Sequence, residues 1–270
     1  MKTNNIKSGN VPDYRFFSEE KIKESLNTRF VGKNLVLYET ATSTNTLAKE
    51  NSHLSEGTVF VANEQTAGRG RLGRVWNSGK DGVWFSVLLK PDMHPDKIQN
   101  LTLVMAVAVK RVIEKSSIKW PNDIVLNSKK VCGILTEACF DGDKLKSIVV
   151  GVGVNVNTEE FPEDLKNVAT SLYLETGEKQ SKSVLLAKLL GEIEVCYNLF
   201  AEKGFNAFLD EYKKSCATLN QTVKICKNDE EYTAQAIDLT ENGELIVKHG
   251  ENTETISFGE VSVRGLFGYV

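Results

Sequence analysis

Two periodicities run along this chain. Apolar runs rich in valine, isoleucine and aromatic residues predict strands at 34–39 (NLVLYE), 58–63 (TVFVAN), 82–90 (GVWFSVLLK) and 130–140 (KVCGILTEACF). Asp141-Gly142-Asp143 predicts a hairpin, with 144–157 as the returning strand. Apolar residues at helical spacing predict helices at 96–116, 183–204 and 205–216, the second closed by Gly204. A shorter helix is expected at 18–26, where Ser18 stands as N-cap and acids fill the first turn. Residues 42–51 join hydroxyl caps to helix formers. Pro121-Asn122-Asp123 makes a turn between two short strands, IKW and IVL.

The pattern changes near Ala217. TVKIC, EYTAQAIDL, GELIVKH, TETISF and EVSVRG are short strands at short spacing, with turns expected at Asn228-Asp229 and Asn242-Gly243. This is the pattern of a small all-β unit. The chain is therefore read as α+β in three parts: a lead-in at 1–34 with one short helix, a mixed-sheet domain at 35–217, and a small β domain at 218–270.

Composition narrows the function. Of 270 residues, 33 are basic and 36 acidic, a net charge of −3 that argues against a general nucleic-acid binder. Positive charge is local, so its target is small. The longest apolar run, 101–109, passes straight into Lys110 and Arg111, well short of the roughly 20 residues of a membrane span. The opening residues lack the apolar core of a secretory signal. The five cysteines are odd in number, widely spaced and without a C-x-x-C pair, which points to a reducing cytoplasm.

Against this acidic background one loop stands out. Gly68 to Arg74 (GRGRLGR) holds three glycines and three arginines in seven residues. The letters G-x-G-x-x-G are present, but a dinucleotide fingerprint needs a helix to begin among the glycines. Here turn residues and then a strand follow. Glycines let a backbone approach a ligand and offer amide hydrogens. Arginines supply forks suited to carboxylate and phosphate. Three like charges held this close favour a loop that wraps an anion.

Other candidates are weaker alone. Asn122 and Asp123 at a strand-to-strand corner face a cleft or simply fill a turn. Lys130 at a strand start is a cleft cation or a solvated end, and Gly133, three residues on, admits something flat. Asn155 sits in GVGVNVN, and Ser43, Thr44 and Asn45 in TSTN cap a helix or bind a polar head group. There is no nucleophile elbow, zinc-hydrolase motif or P-loop. Cations, amides and one carboxylate suit the joining of two anions.

Taken in order, TSTN, EQTAGRGRLGRVW, KWPNDIVL, KKVCGIL, GVGVNVN and GEVSVRG resemble the biotin protein ligase family over roughly residues 35–270. The resemblance implies a mixed α/β catalytic domain of the biotin/lipoate ligase type, followed by an SH3-like β-barrel. It implies synthesis of biotinyl-5′-AMP from biotin and ATP with Mg2+, then transfer of biotin to a lysine of a biotin carboxyl carrier domain. It places Ser43, Thr44, Asn45, Gln65, Gly68, Arg69, Gly70, Arg71, Lys130 and Gly133 at biotin. Arg69, Arg71, Trp76, Asn122, Lys130, Asn155 and Arg264 fall at the nucleotide, with Asn155 near the metal. Arg71, Lys130, Asp123 and Lys119 fall at the reaction centre. Some family members carry an N-terminal DNA-binding domain; the lead-in here is too short for one, so a short-form ligase is expected. Two other readings stand beside it: a lipoate or octanoate ligase or transferase of related fold, and a biotin sensor without turnover. Oligomeric state is left open.

Overall fold

A computed structural model describes residues 15–227, 230–258, 262–265 and 269–270. Helix α1 (Glu19–Ser25) begins where Ser18 Oγ accepts from the Lys21 amide. Then come β1 (Leu35–Ala41), α2 (Thr44–Glu50), β2 (Val59–Gln65) and β3 (Gly82–Leu89). The helix expected at 96–116 is shorter: a 3-10 turn at Pro95–Lys97 leads into α3 (Ile98–Val112). Strands β4 (Ser117–Lys119), β5 (Asp123–Leu126), β6 (Lys129–Asp141) and β7 (Lys144–Asn155) follow, and the hairpin at Asp141–Asp143 forms as expected. Helix α4 (Leu172–Thr176) has no counterpart in the sequence reading, because five residues are too few to show a period. Helix α5 (Lys182–Lys203) starts one residue early, on a Ser181 cap, and α6 (Asn206–Ser215) packs after it.

The first seven strands form one mixed sheet in the order β1-β2-β3-β7-β6-β5-β4. Only β1 and β2 are parallel, because α2 supplies the crossover between them. The two-residue period sorts the sheet's faces. In β3, Val83, Phe85, Val87 and Leu89 join the main core with α3 and α5. The alternate residues face the other way: Leu88 packs under α2 with Ala48, Phe60 and Val149, Trp84 reaches the cleft, and the buried Ser86 bonds to Thr44 and Asn45, which line it. In β7, Ile148, Val150, Val152 and Val154 belong to the core, which leaves Gly151, Gly153 and Asn155 for the cleft face. The alternation in GVGVN is thus a core-and-cleft alternation.

The β strands after Ala217 are β8 (Thr222–Lys227), β9 (Glu230–Leu239), β10 (Leu245–His249), β11 (Asn252–Ile256) and β12 (Ser262–Gly265). They form an antiparallel sheet in the order β11-β10-β9-β8-β12, consistent with a small SH3-like module. The turn expected at Asn228-Asp229 lies outside the described residues. The turn at Asn242-Gly243 docks the module: Trp120 Nε1 donates to Gly243 O (2.9 Å) and Asn100 Nδ2 to Asn242 O (2.7 Å). A Cβ at Gly243 would run into Leu103, so this close approach requires glycine. The module's Val223, Ile225, Ala236 and Val247 belong to the same apolar cluster as α3 and α5.

One buried cation ties the lead-in to the edge of the cleft. Lys182 has 0% exposure, donates to Lys80 O (2.8 Å), Asn63 Oδ1 (3.1 Å) and Arg15 O (3.3 Å), and lies 4.6 Å from the centre of the Phe17 ring. Lys182→Met keeps the stem and removes the donors. Leaving buried acceptors unmatched costs about 1–3 kcal/mol each. The variant should melt several degrees lower in a thermal scan, and an unchanged melting temperature would refute this role.

Candidate active site

A cavity of about 690 Å³ opens on the cleft face of the sheet. Its floor is made flat by absent side chains. Gly133 and Gly153 are register partners on β6 and β7, and the Trp76 indole lies on both. A Cβ at Gly153 would come 2.5 Å from Trp76 Nε1, and one at Gly133 would come 3.1 Å from the same ring. The flat object that Gly133 admits is therefore Trp76. The indole meets Trp84 edge-on at 6.2 Å, and among the described residues its buried Nε1 has no hydrogen-bond partner.

One end of the cavity is neutral and densely hydrogen-bonded. Ser43 is the N-cap residue of α2 but makes no side-chain cap bond. The Thr44 amide and hydroxyl both point at Gln65 Oε1 (2.8 and 3.2 Å), while Gln65 Nε2 donates to Ser78 Oγ (2.8 Å). Ser86 Oγ lies 2.7 Å from Thr44 Oγ1 and 2.6 Å from Asn45 Oδ1. Asn45 Nδ2 donates to Glu137 Oε2 (2.7 Å), whose other oxygen pairs with Lys49 (2.7 Å). Burial pushes the Glu137 carboxyl up, but bonds from Lys49 and Asn45 outweigh it and hold it below the usual range. Amides and hydroxyls locked in this way suit a neutral heterocycle that both donates and accepts.

The other end is charged. Lys130, entering from β6, lies 2.7 Å from Asp123 Oδ1 and 4.9 Å from the centre of the Trp76 ring. Arg71 Nη1 donates to Asn122 Oδ1 (2.9 Å), and Asn122 Nδ2 in turn to Ile134 O (2.7 Å). Burial lowers the Arg71 pKa, partly offset by the Asp123 charge. Burial would raise the Asp123 carboxyl, yet the charge and hydrogen bond of Lys130, then the Tyr269 hydroxyl and Lys119, hold it low. Cys132 beside it is buried and pushed far up by desolvation, so it remains a thiol.

The cationic loop folds on itself. The Gly70 amide donates to Arg74 O (2.7 Å), a 3-10 turn spans Arg71–Gly73, and Leu72 takes a left-handed φ of 55°. Arg71 turns inward, while Arg69 and Arg74 remain exposed with Leu72 and Val75. The loop runs into β3 and not into a helix, as the rejected dinucleotide reading requires.

Ser43, Thr44, Asn45, Gln65, Arg69, Gly70, Arg71, Trp76, Lys119, Asn122, Asp123, Lys130, Gly133 and Asn155 all line this cavity. Gly68 does not: it is buried at the loop's neck, where its carbonyl accepts from the Trp76 amide (2.9 Å). Asn155 is buried and donates to Thr170 O (3.0 Å). Arg264 lies in β12 opposite Lys224, and its side chain falls outside what is described. Sequence reasoning missed Ser86, Glu137 and Tyr269. The first two carried a signal, since each is a polar residue in an otherwise apolar strand run.

Residues 37–155 match the biotin/lipoate A/B protein ligase family, and residues 218–264 match the biotin protein ligase C terminal domain. The bifunctional ligase/repressor BirA of Bacillus subtilis is 34% identical over 256 residues, covering 91% of this chain and 79% of that protein. This chain belongs to the biotin protein ligase family. A solved biotin protein ligase from Aquifex aeolicus, in complex with biotin and ATP, is 36% identical. It superposes with a TM-score of 0.78 over 86% of this chain and 99% of its own. A biotin–[acetyl-CoA-carboxylase] ligase of Mycobacterium tuberculosis is 28% identical, over 76% of this chain and 79% of that protein.

Proposed function

We infer that this protein activates biotin with ATP as biotinyl-5′-AMP and passes biotin to a lysine of a biotin carboxyl carrier domain. The observation that carries this is the two-ended cavity: locked amides and hydroxyls at one end, Lys130 and Arg71 at the other, and Trp76 on a glycine floor between them. Ser43, Thr44, Asn45 and Gln65 hold the ureido ring. The acyl chain then runs toward Lys130.

In the first half-reaction a biotin carboxylate oxygen attacks the α-phosphorus and pyrophosphate leaves. Both reactants are anions, and two unit charges about 4 Å apart repel by about 4 kcal/mol at an effective dielectric of about 20. Lys130 and Arg71 cancel that repulsion and stabilise the charge that grows in the transition state. Arg69 and Gly70 close over the adenylate and keep water from the mixed anhydride. Trp76 packs by the adenine, and Arg264 serves the nucleotide. Among the described residues no group of three His, Cys, Asp or Glu could hold a metal. The Asn155 amide nitrogen is taken by Thr170 O, so its side-chain oxygen would lie near a magnesium ion brought in with the nucleotide. When bound, that ion supplies positive charge to the leaving pyrophosphate.

In the second half-reaction the carrier lysine attacks the acyl carbon and AMP leaves. Asp123, flanked by Lys119 and Asn122, orients the incoming ammonium. A cytoplasmic setting fits the five free cysteines. Among the described residues no helix is long and apolar enough to cross a membrane.

One assay tests the reading. The protein is incubated with magnesium-ATP and biotin, lipoate or octanoate, and pyrophosphate release and label on a carrier domain are measured. Biotin-dependent release with transfer is expected. Release with lipoate or octanoate instead would make it a ligase for those acids, and biotin binding without release would make it a sensor.

The glycine floor gives a second test. A Cβ at Gly151 would drive into the Asn45 carboxamide. Gly151→Ala should raise the KM for biotin about 10- to 100-fold by misplacing two hydrogen-bonding groups. The KM for ATP should stay within about twofold, since Gly151 lies at the far end from Lys130. An unchanged biotin KM would remove Asn45 from the head-group site.

A further inference from the structure

Asp123 is held from three directions by groups on three separate stretches of chain. Lys130 comes from β6 and reaches Oδ1. Lys119 comes from β4, directly across the ladder from Asp123. The third partner is Tyr269, in the stretch that follows β12: its hydroxyl donates to Asp123 Oδ2. The Tyr269 ring also lies 3.6 Å from Lys119 Nζ, at ring-centroid distance, and 5.8 Å from Lys130 Nζ. One side chain from the small β unit thus touches an acid and a base of the proposed reaction centre.

We propose that Tyr269 is a positioning residue for transfer of biotin to the carrier lysine, fixing the Asp123 carboxylate through its hydroxyl and the Lys119 ammonium through its ring. This rests on the functional reading above. Lys130 has two duties in that reading. It pairs with Asp123 in the empty site, and it must face the biotin carboxylate and α-phosphate once they bind. As Lys130 turns to those anions, Asp123 Oδ1 is released toward the incoming ammonium, and Oδ2 must be held by something else. The Tyr269 hydroxyl is a neutral donor that does not compete for the ligand's negative charge. Burial and the neighbouring Asp123 charge push its pKa well up, so it donates and does not act as a base. The cation–π contact keeps Lys119 on the ring face. The small module so contributes a group to chemistry carried out on the large sheet.

The test separates the two half-reactions in the full chain. Biotin-dependent pyrophosphate exchange reads adenylate formation; a chase of the enzyme-bound adenylate with a biotin carboxyl carrier domain reads transfer. Tyr269→Phe keeps the ring and loses only the hydroxyl. Its transfer rate constant should fall about tenfold, as expected for losing one hydrogen bond to a charged group, with the carrier KM unchanged. Adenylate formation should fall by less than about twofold, and the melting temperature should hold. Tyr269→Ala, which also removes the ring from Lys119, should transfer more slowly than Tyr269→Phe. Transfer by Tyr269→Phe at the wild-type rate would overturn the proposal. So would an equal fall in both half-reactions, which marks a structural role. A lower KM for ATP in either variant would show a residue that blocks the site, and would overturn it too. If the unaltered protein forms no adenylate from biotin, the functional reading fails first and this proposal falls with it.

Discussion

Lys130→Ala is expected to slow biotin-dependent pyrophosphate release by about a thousandfold, the loss seen when a single donor that stabilises developing charge is removed. The position of Lys130 makes this the largest expected effect. It reaches the cavity from the sheet itself, on a strand braced by β5 and β7, so its geometry does not depend on a loop closing. Arg71 sits on the glycine loop and is anchored through Asn122, so Arg71→Ala should cost less, and the double variant less than the product of the two. Removing Lys130 also strips Asp123 of its nearest counter-charge, which is destabilising for a buried carboxylate. The sign follows from the low Asp123 pKa: the group contributes stability above its unfolded pKa, and loses it as pH falls through the folded one. Without Lys130 the folded pKa rises, and acid unfolding should begin at higher pH. Lys130→Arg keeps the charge and controls for folding. It should melt normally and still activate biotin poorly, because a planar fork does not replace a point charge. Wild-type release by Lys130→Ala would remove the cationic end of the cavity from the mechanism.

Asp123→Asn separates the two steps in the opposite sense. The amide keeps the shape of the carboxylate and can still accept from Tyr269. Lys130 keeps its charge, so adenylate formation should survive within a fewfold, while transfer to the carrier domain falls about a hundredfold, as expected when a group that orients the attacking amine is lost. The pH dependence tells orientation from proton abstraction. A free lysine titrates near 10.4, so the reactive neutral amine rises about tenfold per pH unit below that value. Asp123 is held below the usual carboxylate range, which makes it a poor base for such an amine. The ratio of wild-type to variant transfer rates should therefore stay constant between about pH 7 and pH 9. A ratio that shrinks as pH rises would assign the proton to Asp123. Loss of adenylate formation with transfer intact would take Asp123 out of the second step.

Much of the site was legible because its chemistry is written in short contiguous motifs. Arg71, Lys130, Asp123 and Asn155 each stand in a stretch whose glycines, turns or charges break the surrounding pattern. The alternation in GVGVN carried more than it showed, since the phase that buries Val150, Val152 and Val154 must turn Gly151, Gly153 and Asn155 to one face. Ser86 and Glu137 were harder to see. A buried serine in an apolar strand reads as a tolerated small residue until Thr44 and Asn45 are found beside it. Gly68 misled in the other direction, because a glycine next to arginines reads as ligand-facing and here closes the loop's neck. Helix α4 was invisible, and the helix before β4 was read too long because Glu114 to Ser116 continue its polar face without continuing its core.

The linear chain alone determined the alternation of strands and helices, the change to short β strands after Ala217, the cationic loop and the residue types available for joining two anions. These are local properties: side-chain period, turn chemistry and charge are set by neighbours within a few residues. The tertiary structure decided which of those residues share a cavity. Trp76 finds its glycine shelf only because β6 and β7 pair Gly133 with Gly153, and the Asn45 carboxamide finds Glu137 across 92 positions of chain. Tyr269 reaches Asp123 across 146 positions through a module whose docking depends on Trp120 and Gly243. Contacts at such separations depend on the packing of whole elements, a sum over many weak burial terms that no short window of sequence contains.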